Sequence, residues 1–243
     1  MNNRTTSTDS TAPVTLLFSG GIDSTMAATL LAEQHEQVHL LTFRNGYGHY
    51  HIDRTGKRAA ELSRLFPGKF VQAKISVQRL FEEVVIDHLD EEYTRWESGF
   101  FWCLGCKIAM HTRAIVYNLH NHVSLVADGS SGDTSEMVEQ MPVAVDRIHR
   151  FYDEYGMRFL NPVYERARSD SIHELETRGF RLGLRIGDRF LGIQPTCKPG
   201  ELYYMPYLLR GSDPIHPEEK IAAYIDEKLD WARRTIDKLG GRL

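Results

Sequence analysis

Short apolar runs alternate along this chain with segments whose apolar residues recur at helical spacing. Val14-Thr15-Leu16-Leu17-Phe18 reads as a buried strand, followed by a glycine turn and a helix near 24–34. A second strand fits Gln37–Phe43. Residues 53–66 carry Ala59, Ala60, Leu62 and Leu65 on one helical face, and Pro67-Gly68 stops them. A third strand at 70–75 leads into a helix over 77–92 with Leu80, Val84, Val85 and Leu89 on one side. A further helix is expected from near Cys106 to about Asn121, then a fourth strand, Val123–Ala127, ending at Asp128-Gly129. Residues 142–155 read as a helix, 157–160 as a short fifth strand and 169–178 as another helix. A Gly- and Pro-rich region over 179–214 precedes a charged amphipathic helix with Ile221, Ile225, Leu229 and Ile236 inward. This alternation predicts an α/β chain with a doubly wound, Rossmann-like parallel sheet and right-handed crossovers. Its ligand belongs at the carboxyl ends of the strands.

Composition narrows the class. A chain of 243 residues with 42% hydrophobic and 26% charged residues suits one globular α/β domain with additions. The expected division is a disordered polar tail at 1–12, a nucleotide-binding domain at 13–178 and a C-terminal extension at 179–243. The tail lacks the apolar core of a signal peptide, and no stretch reaches the roughly 18 apolar residues of a membrane span. Three cysteines without an export signal point to a reducing cytoplasm, where paired cysteines serve metal or catalysis more often than disulfides. A net charge of −4 gives no global case for nucleic acid binding. The basic residues Arg233, Arg234, Lys238 and Arg242 are interspersed with Asp230 and Asp237, which reads as a solvated helix face.

The first glycine turn carries the clearest chemistry. Ser19-Gly20-Gly21-Ile22-Asp23-Ser24-Thr25 joins a buried strand to a helix N-terminus, where free N–H groups and the helix dipole favour an anion. The glycines admit a phosphate close to the backbone, and Ser24 and Thr25 add hydroxyl donors. The Walker lysine is absent. The string resembles the SGGxDS signature of the PP-loop ATP pyrophosphatases, the adenine nucleotide alpha hydrolase-like superfamily. That resemblance implies the superfamily's fold, binding of ATP with magnesium, adenylation of a substrate oxygen and release of pyrophosphate. It also implies that Ser19, Gly20, Gly21, Asp23, Ser24 and Thr25 surround the pyrophosphate and its magnesium. By the same resemblance Phe43, at the end of the second strand, and the Asp128-Gly129 turn fall at the nucleotide. Core packing for Phe43 and a routine Asp-Gly turn stand as the plain alternatives. Asp128 and Asp133 are candidates for positioning magnesium or substrate. Phe159–Tyr164 is similar to a family segment that a lysine often follows, and here Arg166 and Arg168 stand instead.

Cys103-Leu104-Gly105-Cys106 is expected as a turn before a helix, whose N-terminus would favour thiolate, and Cys197 follows in Thr196-Cys197-Lys198. Three thiolates do not complete an all-cysteine zinc site. They can hold three irons of a [4Fe–4S] cluster, leaving the fourth iron open. Zinc completed by a histidine such as His111, a persulfide relay and plain structural thiols remain alternatives. His49 and His51 are candidates for contacting phosphate or metal, with an exposed polar loop as the preferred reading. The arrangement resembles PP-loop sulfurtransferases that thiolate tRNA bases. It implies metal binding by Cys103, Cys106 and Cys197, and catalytic roles for Asp23, Cys103 and Cys197.

The resulting expectation is an ATP-dependent sulfurtransferase acting on a nucleobase-like carbonyl of tRNA or a small molecule. Sulfur would come from a donor protein or from sulfide, and a homodimer could build a shared basic groove for tRNA. Residues 41–48 are also similar in pattern to 7-cyano-7-deazaguanine synthase, an ammonia-using ligase, but the C-terminal cysteine cluster of that family is missing. A non-catalytic ATP-binding scaffold is the alternative of another class.

Overall fold

The computed structural model describes residues 12–186, 189–191, 196–210 and 216–240. Residues 1–11 of the expected tail, Arg242 and Gln194-Pro195 lie outside them. The chain runs β1 (Val14–Leu17), α1 (Ile22–Gln34), β2 (Val38–Arg44), β3 (His49–Tyr50), α2 (Arg54–Leu65) and β4 (Phe70–Ser76). It continues through α3 (Gln78–Val84), α4 (Leu89–Trp96), α5 (Phe100–Asn121), β5 (Leu125–Ala127), α6 (Pro142–Asp153), β6 (Arg158–Leu160) and α7 (Arg168–Thr177). A hairpin of β7 (Leu184–Ile186) and β8 (Arg189–Leu191) follows, then β9 (Thr196–Cys197), α8 (Lys198–Arg210) and α9 (Glu218–Gly240).

Five strands form one parallel sheet in the order β4-β2-β1-β5-β6. This is the expected doubly wound α/β sheet, of the adenine nucleotide alpha hydrolase type. The order reverses between β1 and β5, so the loops that follow those strands open a crevice at their carboxyl ends. The central strands are apolar throughout because helices cover both faces; Val14, Leu16, Leu40 and Leu41 are fully buried. At the edge, β4 alternates half-buried and exposed positions.

One apolar cluster packs α1 and α2 against the sheet through Met26, Leu31, Leu62 and Phe180. A larger one joins α5, α6 and α9 through Ile115, Ile148, Phe151, Ile221 and Tyr224. The expected inward positions of the last helix, Ile221, Ile225, Leu229 and Ile236, are all buried. A buried Lys228–Glu92 ion pair ties α9 to α4, and Arg147 on α6 binds Asp226 on α9 through two hydrogen bonds. Among the described residues no helix is long and apolar enough to cross a membrane.

Three expectations change. The helix expected over 77–92 is broken, with a 3-10 turn at Ile86–His88 separating α3 from α4. The Gly- and Pro-rich region holds a hairpin, β9 and the helix α8. Pro199 falls in the first turn of α8, where its missing N–H costs nothing, and Pro206 is accommodated further along. Most consequentially, α5 begins at Phe100, so Cys103 and Cys106 lie inside a helix and not in a turn before it. Phe100, Phe101 and Leu104 are buried, and tertiary packing extends the helix past the expected start.

Gly105, between the two cysteines, is the point of closest packing on α5. A Cβ there would stand 2.2 Å from Val85 Cγ2 and 2.9 Å from the Tyr224 hydroxyl. Gly105→Ala is therefore expected to destabilise the fold by about 1–3 kcal/mol, despite alanine's higher helix propensity. Chemical denaturation midpoints at constant m-value measure this, and an unchanged midpoint would refute the close packing.

Candidate active site

The Ser19–Thr25 turn leaves β1 and enters α1 as the sequence predicts. Gly20 has φ +74, a left-handed conformation that glycine adopts without strain, and its α-carbon faces Thr55 on α2. Ser19 and Ser24 hydroxyls are 3.0 Å apart. The Ser24 and Thr25 hydroxyls donate back to the Gly21 carbonyl at 3.2 and 2.7 Å. Thr25 is fully buried, so its hydroxyl braces the turn from inside. Asp23 forms a 2.8 Å ion pair with Arg168 at the start of α7. Burial raises the Asp23 carboxyl above its ordinary range, and Arg168 works against that rise. Of the two arginines standing in place of the lysine, Arg168 reaches the loop, whereas Arg166 pairs with Glu174.

Gly129 shows how tightly the loop after β5 closes on this turn. A Cβ on it would lie 2.7 Å from the Ser24 amide nitrogen and 2.8 Å from the Ser24 α-carbon. Asp128 next to it is buried and points inward. It accepts bonds from the Ser130 amide (2.9 Å), the Ser130 hydroxyl (2.8 Å) and the Asn161 amide (2.7 Å), with Lys107 Nζ 3.3 Å away. Burial alone would raise this carboxyl, but Lys107, His111 and the Ser130 bonds together hold it below the ordinary carboxylate range. Asp133 lies further along the loop and accepts a 2.6 Å bond from the Arg168 backbone. Phe43 is buried in a small cluster with Leu41, Val77 and Ala114, the core packing that was its plain alternative.

The three cysteines gather on the same side of the molecule. Cys103 and Cys106 come from successive turns of α5. Cys197 arrives on β9, which pairs antiparallel with β3 so that Cys197 stands opposite His49. A Cβ on Gly200, in the first turn of α8, would sit 3.7 Å from Cys103 Sγ and 3.6 Å from Cys197 Sγ. Gly200 thus lies in ordinary contact range of both sulfurs. Cys106 Sγ accepts a 3.3 Å bond from the Asn45 side-chain amide and lies 3.9 Å from His49 Nε2. Among the described residues no three His, Cys, Asp or Glu side chains stand close enough together to hold a single metal ion.

The helix N-terminus does not lower these thiols. Burial pushes Cys103 well above its ordinary value and Cys106 up to about 12, and it raises Cys197 as well. The half-buried Glu139 carboxyl adds to all three rises. Without a cation they are thiols, and a metal or another positive centre is what would deprotonate them.

Three functional candidates escape sequence reasoning, and a fourth, His49, is set aside there in favour of an exposed loop. His49 belongs to no exposed loop: its ring is half-buried against Cys106, and burial lowers its pKa. Asn45 is fully buried. Glu139 accepts a 3.1 Å bond from Tyr204 on α8. Lys107 donates to Ser130 Oγ at 3.1 Å and to the Glu139 carbonyl at 2.7 Å. Lys107 had a signal, since it directly follows the CxxC; the others become neighbours only through tertiary pairing. His111 goes the opposite way. It lies deep beneath the sheet end with Nδ1 2.9 Å from the Tyr152 hydroxyl and Nε2 3.9 Å from Asp128, so it is engaged away from the cysteines.

Residues 5–118 match the asparagine synthase family model, a PP-loop ATP pyrophosphatase family, over just under half of the chain. The PP-loop resemblance read from Ser19–Thr25 is thereby borne out. No curated protein sequence matches. Among solved structures, a 4-thiouridine synthetase in complex with RNA and bound ATP superposes with a TM-score of 0.54 at 14% identity, covering 95% of this chain and 53% of the other. A predicted tRNA methyltransferase subunit from Methanocaldococcus jannaschii matches at TM-score 0.46 and 17% identity, over 86% of this chain and 92% of that one. The U34-tRNA thiolase NcsA from Methanococcus maripaludis, with its [4Fe–4S] cluster, matches at 0.43 and 15%, over 90% and 72%.

The buried His111 gives the site an acid-labile support. Burial, followed by the Lys107 charge, lowers its pKa to about 3. The unfolded chain takes up this proton near pH 6.5 and the folded one does not, so its contribution is intact above pH 6.5 and is lost as pH falls toward 3. Stability is expected to drop by up to about 1.4 kcal/mol per pH unit from this group over that window. His111→Gln should flatten the slope between pH 6.5 and 5. An equally steep slope in that variant would exclude His111 as its source.

Proposed function

We propose that this protein is an ATP-dependent sulfurtransferase that replaces a nucleobase carbonyl oxygen with sulfur, its acceptor an RNA base or a nucleobase-like small molecule. The observation that supports this reading is the run of contacts linking α5, which carries Cys103 and Cys106, to the phosphate turn. Lys107 follows Cys106 directly and bonds Ser130; Gly129 in the same loop packs on Ser24. The fold shared with a 4-thiouridine synthetase that binds ATP and RNA agrees with it, although this chain spans about half of that protein.

In this mechanism the N–H groups at the start of α1 receive the phosphates of ATP, Arg168 shares their charge, and Asp23 would hold magnesium, which would neutralise the departing pyrophosphate. The acceptor's carbonyl oxygen bonds the α-phosphorus and pyrophosphate departs. A sulfur nucleophile then adds to the activated carbon, and AMP leaves with the original oxygen. Gly129 lets the two loops approach closely enough to hold the reacting groups in one crevice.

Cys103, Cys106 and Cys197 fit a [4Fe–4S] cluster. Their donor set is all soft thiol, and Gly200 packs beside both Cys103 and Cys197. Such a group, when bound, offers a fourth iron able to carry an exogenous sulfide. The protein's own part is to supply the thiolates and to exclude water around them.

Two experiments test this reading. Anaerobic reconstitution should give a brown protein with iron and acid-labile sulfide in near-equal amounts, and serine at any of the three cysteines should abolish both thiolation and cluster. Full thiolating activity in a colourless, iron-free protein would eliminate the cluster. Gly129→Ala should weaken ATP binding about tenfold, close to 1.4 kcal/mol, because its methyl group displaces Ser24. Calorimetric titration with unchanged affinity would remove that loop from the nucleotide site.

A further inference from the structure

Cys106 differs from its two partners in how it is held. Cys103 and Cys197 are half-buried and flank Gly200, whose backbone N–H bonds Cys197, whereas Cys106 is buried and takes its hydrogen bond from a side chain. The donor, Asn45, follows β2 and is fully buried, with each end of its amide committed. Its Oδ1 accepts from the Tyr47 backbone at 2.9 Å, bending the loop that leads to β3; its Nδ2 points at Cys106 Sγ at 3.3 Å. The same loop then seats Gly48 so close to Pro199 that a Cβ would stand 2.4 Å from the proline ring, and pairs His49 with Cys197. A residue chosen only to turn this loop would need the carbonyl oxygen, which aspartate also offers and which is more common in such turns. The amide nitrogen has one partner, the sulfur.

We infer that Asn45 is a positioning residue for the cysteine site, its side-chain N–H fixing the Cys106 sulfur and stabilising it as a thiolate ligand. The inference rests on the cluster reading above. A hydrogen bond to a cluster sulfur favours the more electron-rich, reduced state and so raises the potential. It also retains the ligand: loss of such an outer partner typically weakens metal binding by about 10–100-fold.

The test uses the reconstituted full-length protein. Asn45→Asp keeps an oxygen for the Tyr47 amide and removes the donor facing sulfur; Asn45→Leu removes both. Both variants should show a more negative midpoint potential and at least tenfold faster iron loss to a chelator, and Asn45→Asp should keep wild-type ATP affinity. Wild-type protein labelled with ¹⁵N in its asparagine side chains should show, in the reduced state, an electron–nuclear coupling to one amide nitrogen, a measurement that needs no variant to fold. Wild-type potential and iron retention in both variants, or a reduced cluster without that coupling, would overturn the role of Asn45 alone. Wild-type protein that takes up no cluster would overturn the cluster reading and this inference together.

Discussion

The buried pair of Lys107 and Asp128 is the contact on which the geometry of this molecule turns. It crosses from α5, the helix that carries two of the cysteines, to the loop after β5, which lies against the phosphate turn. An ammonium and a carboxylate taken out of water cost several kcal/mol each, and close pairing with further hydrogen bonds offsets that cost only when the geometry is good. Here the carboxylate has three further donors and the ammonium two further acceptors. With these needs met, both elements are held in one arrangement. A purely apolar contact would tolerate more sliding between helix and loop.

That rigidity matters because the two halves of the site belong to different packing units. The phosphate turn is backed by the cluster around α1 and α2, and the cysteine helix by the cluster around α6 and α9. The crevice between β1 and β5 is where those units meet. Two glycines set the spacing, Gly129 against Ser24 and Gly105 against Val85 and Tyr224, each allowing an approach that a methyl group would prevent. Charge fixes the register across the crevice, and the absence of side chains fixes the distance.

Much of this was legible in the sequence where a signal is local. The phosphate turn, the five sheet strands and the inward face of α9 each follow from periodicity and glycine placement within a short window. The start of α5 was not, because Phe100 and Phe101 enter the helix through burial by α9 and not through propensity. The roles of Asn45 and His49 were hidden for a related reason. Between β2 and α2 they look like ordinary polar loop residues, and only the pairing of β3 with β9 brings Cys197 beside them. Arg168 was visible as one of two arginines, but the choice between them depends on how α7 packs against α1. Asp128 was read as a ligand candidate from its place at a strand end, and its burial beneath Lys107 gives it a different setting.

The short β3–β9 ladder has a consequence for how the protein is made. Its two strands are only two residues each, yet they join segments separated by most of the chain, so the pairing closes a very long loop for little backbone hydrogen bonding. Contacts of such separation form late, after local elements have condensed. Cys197 therefore joins the site through a contact that forms after the local elements have condensed. A ligand shared by Cys197 and the cysteines of α5 would add its binding free energy to that closure, clasping a ladder that backbone bonding alone supports only slightly.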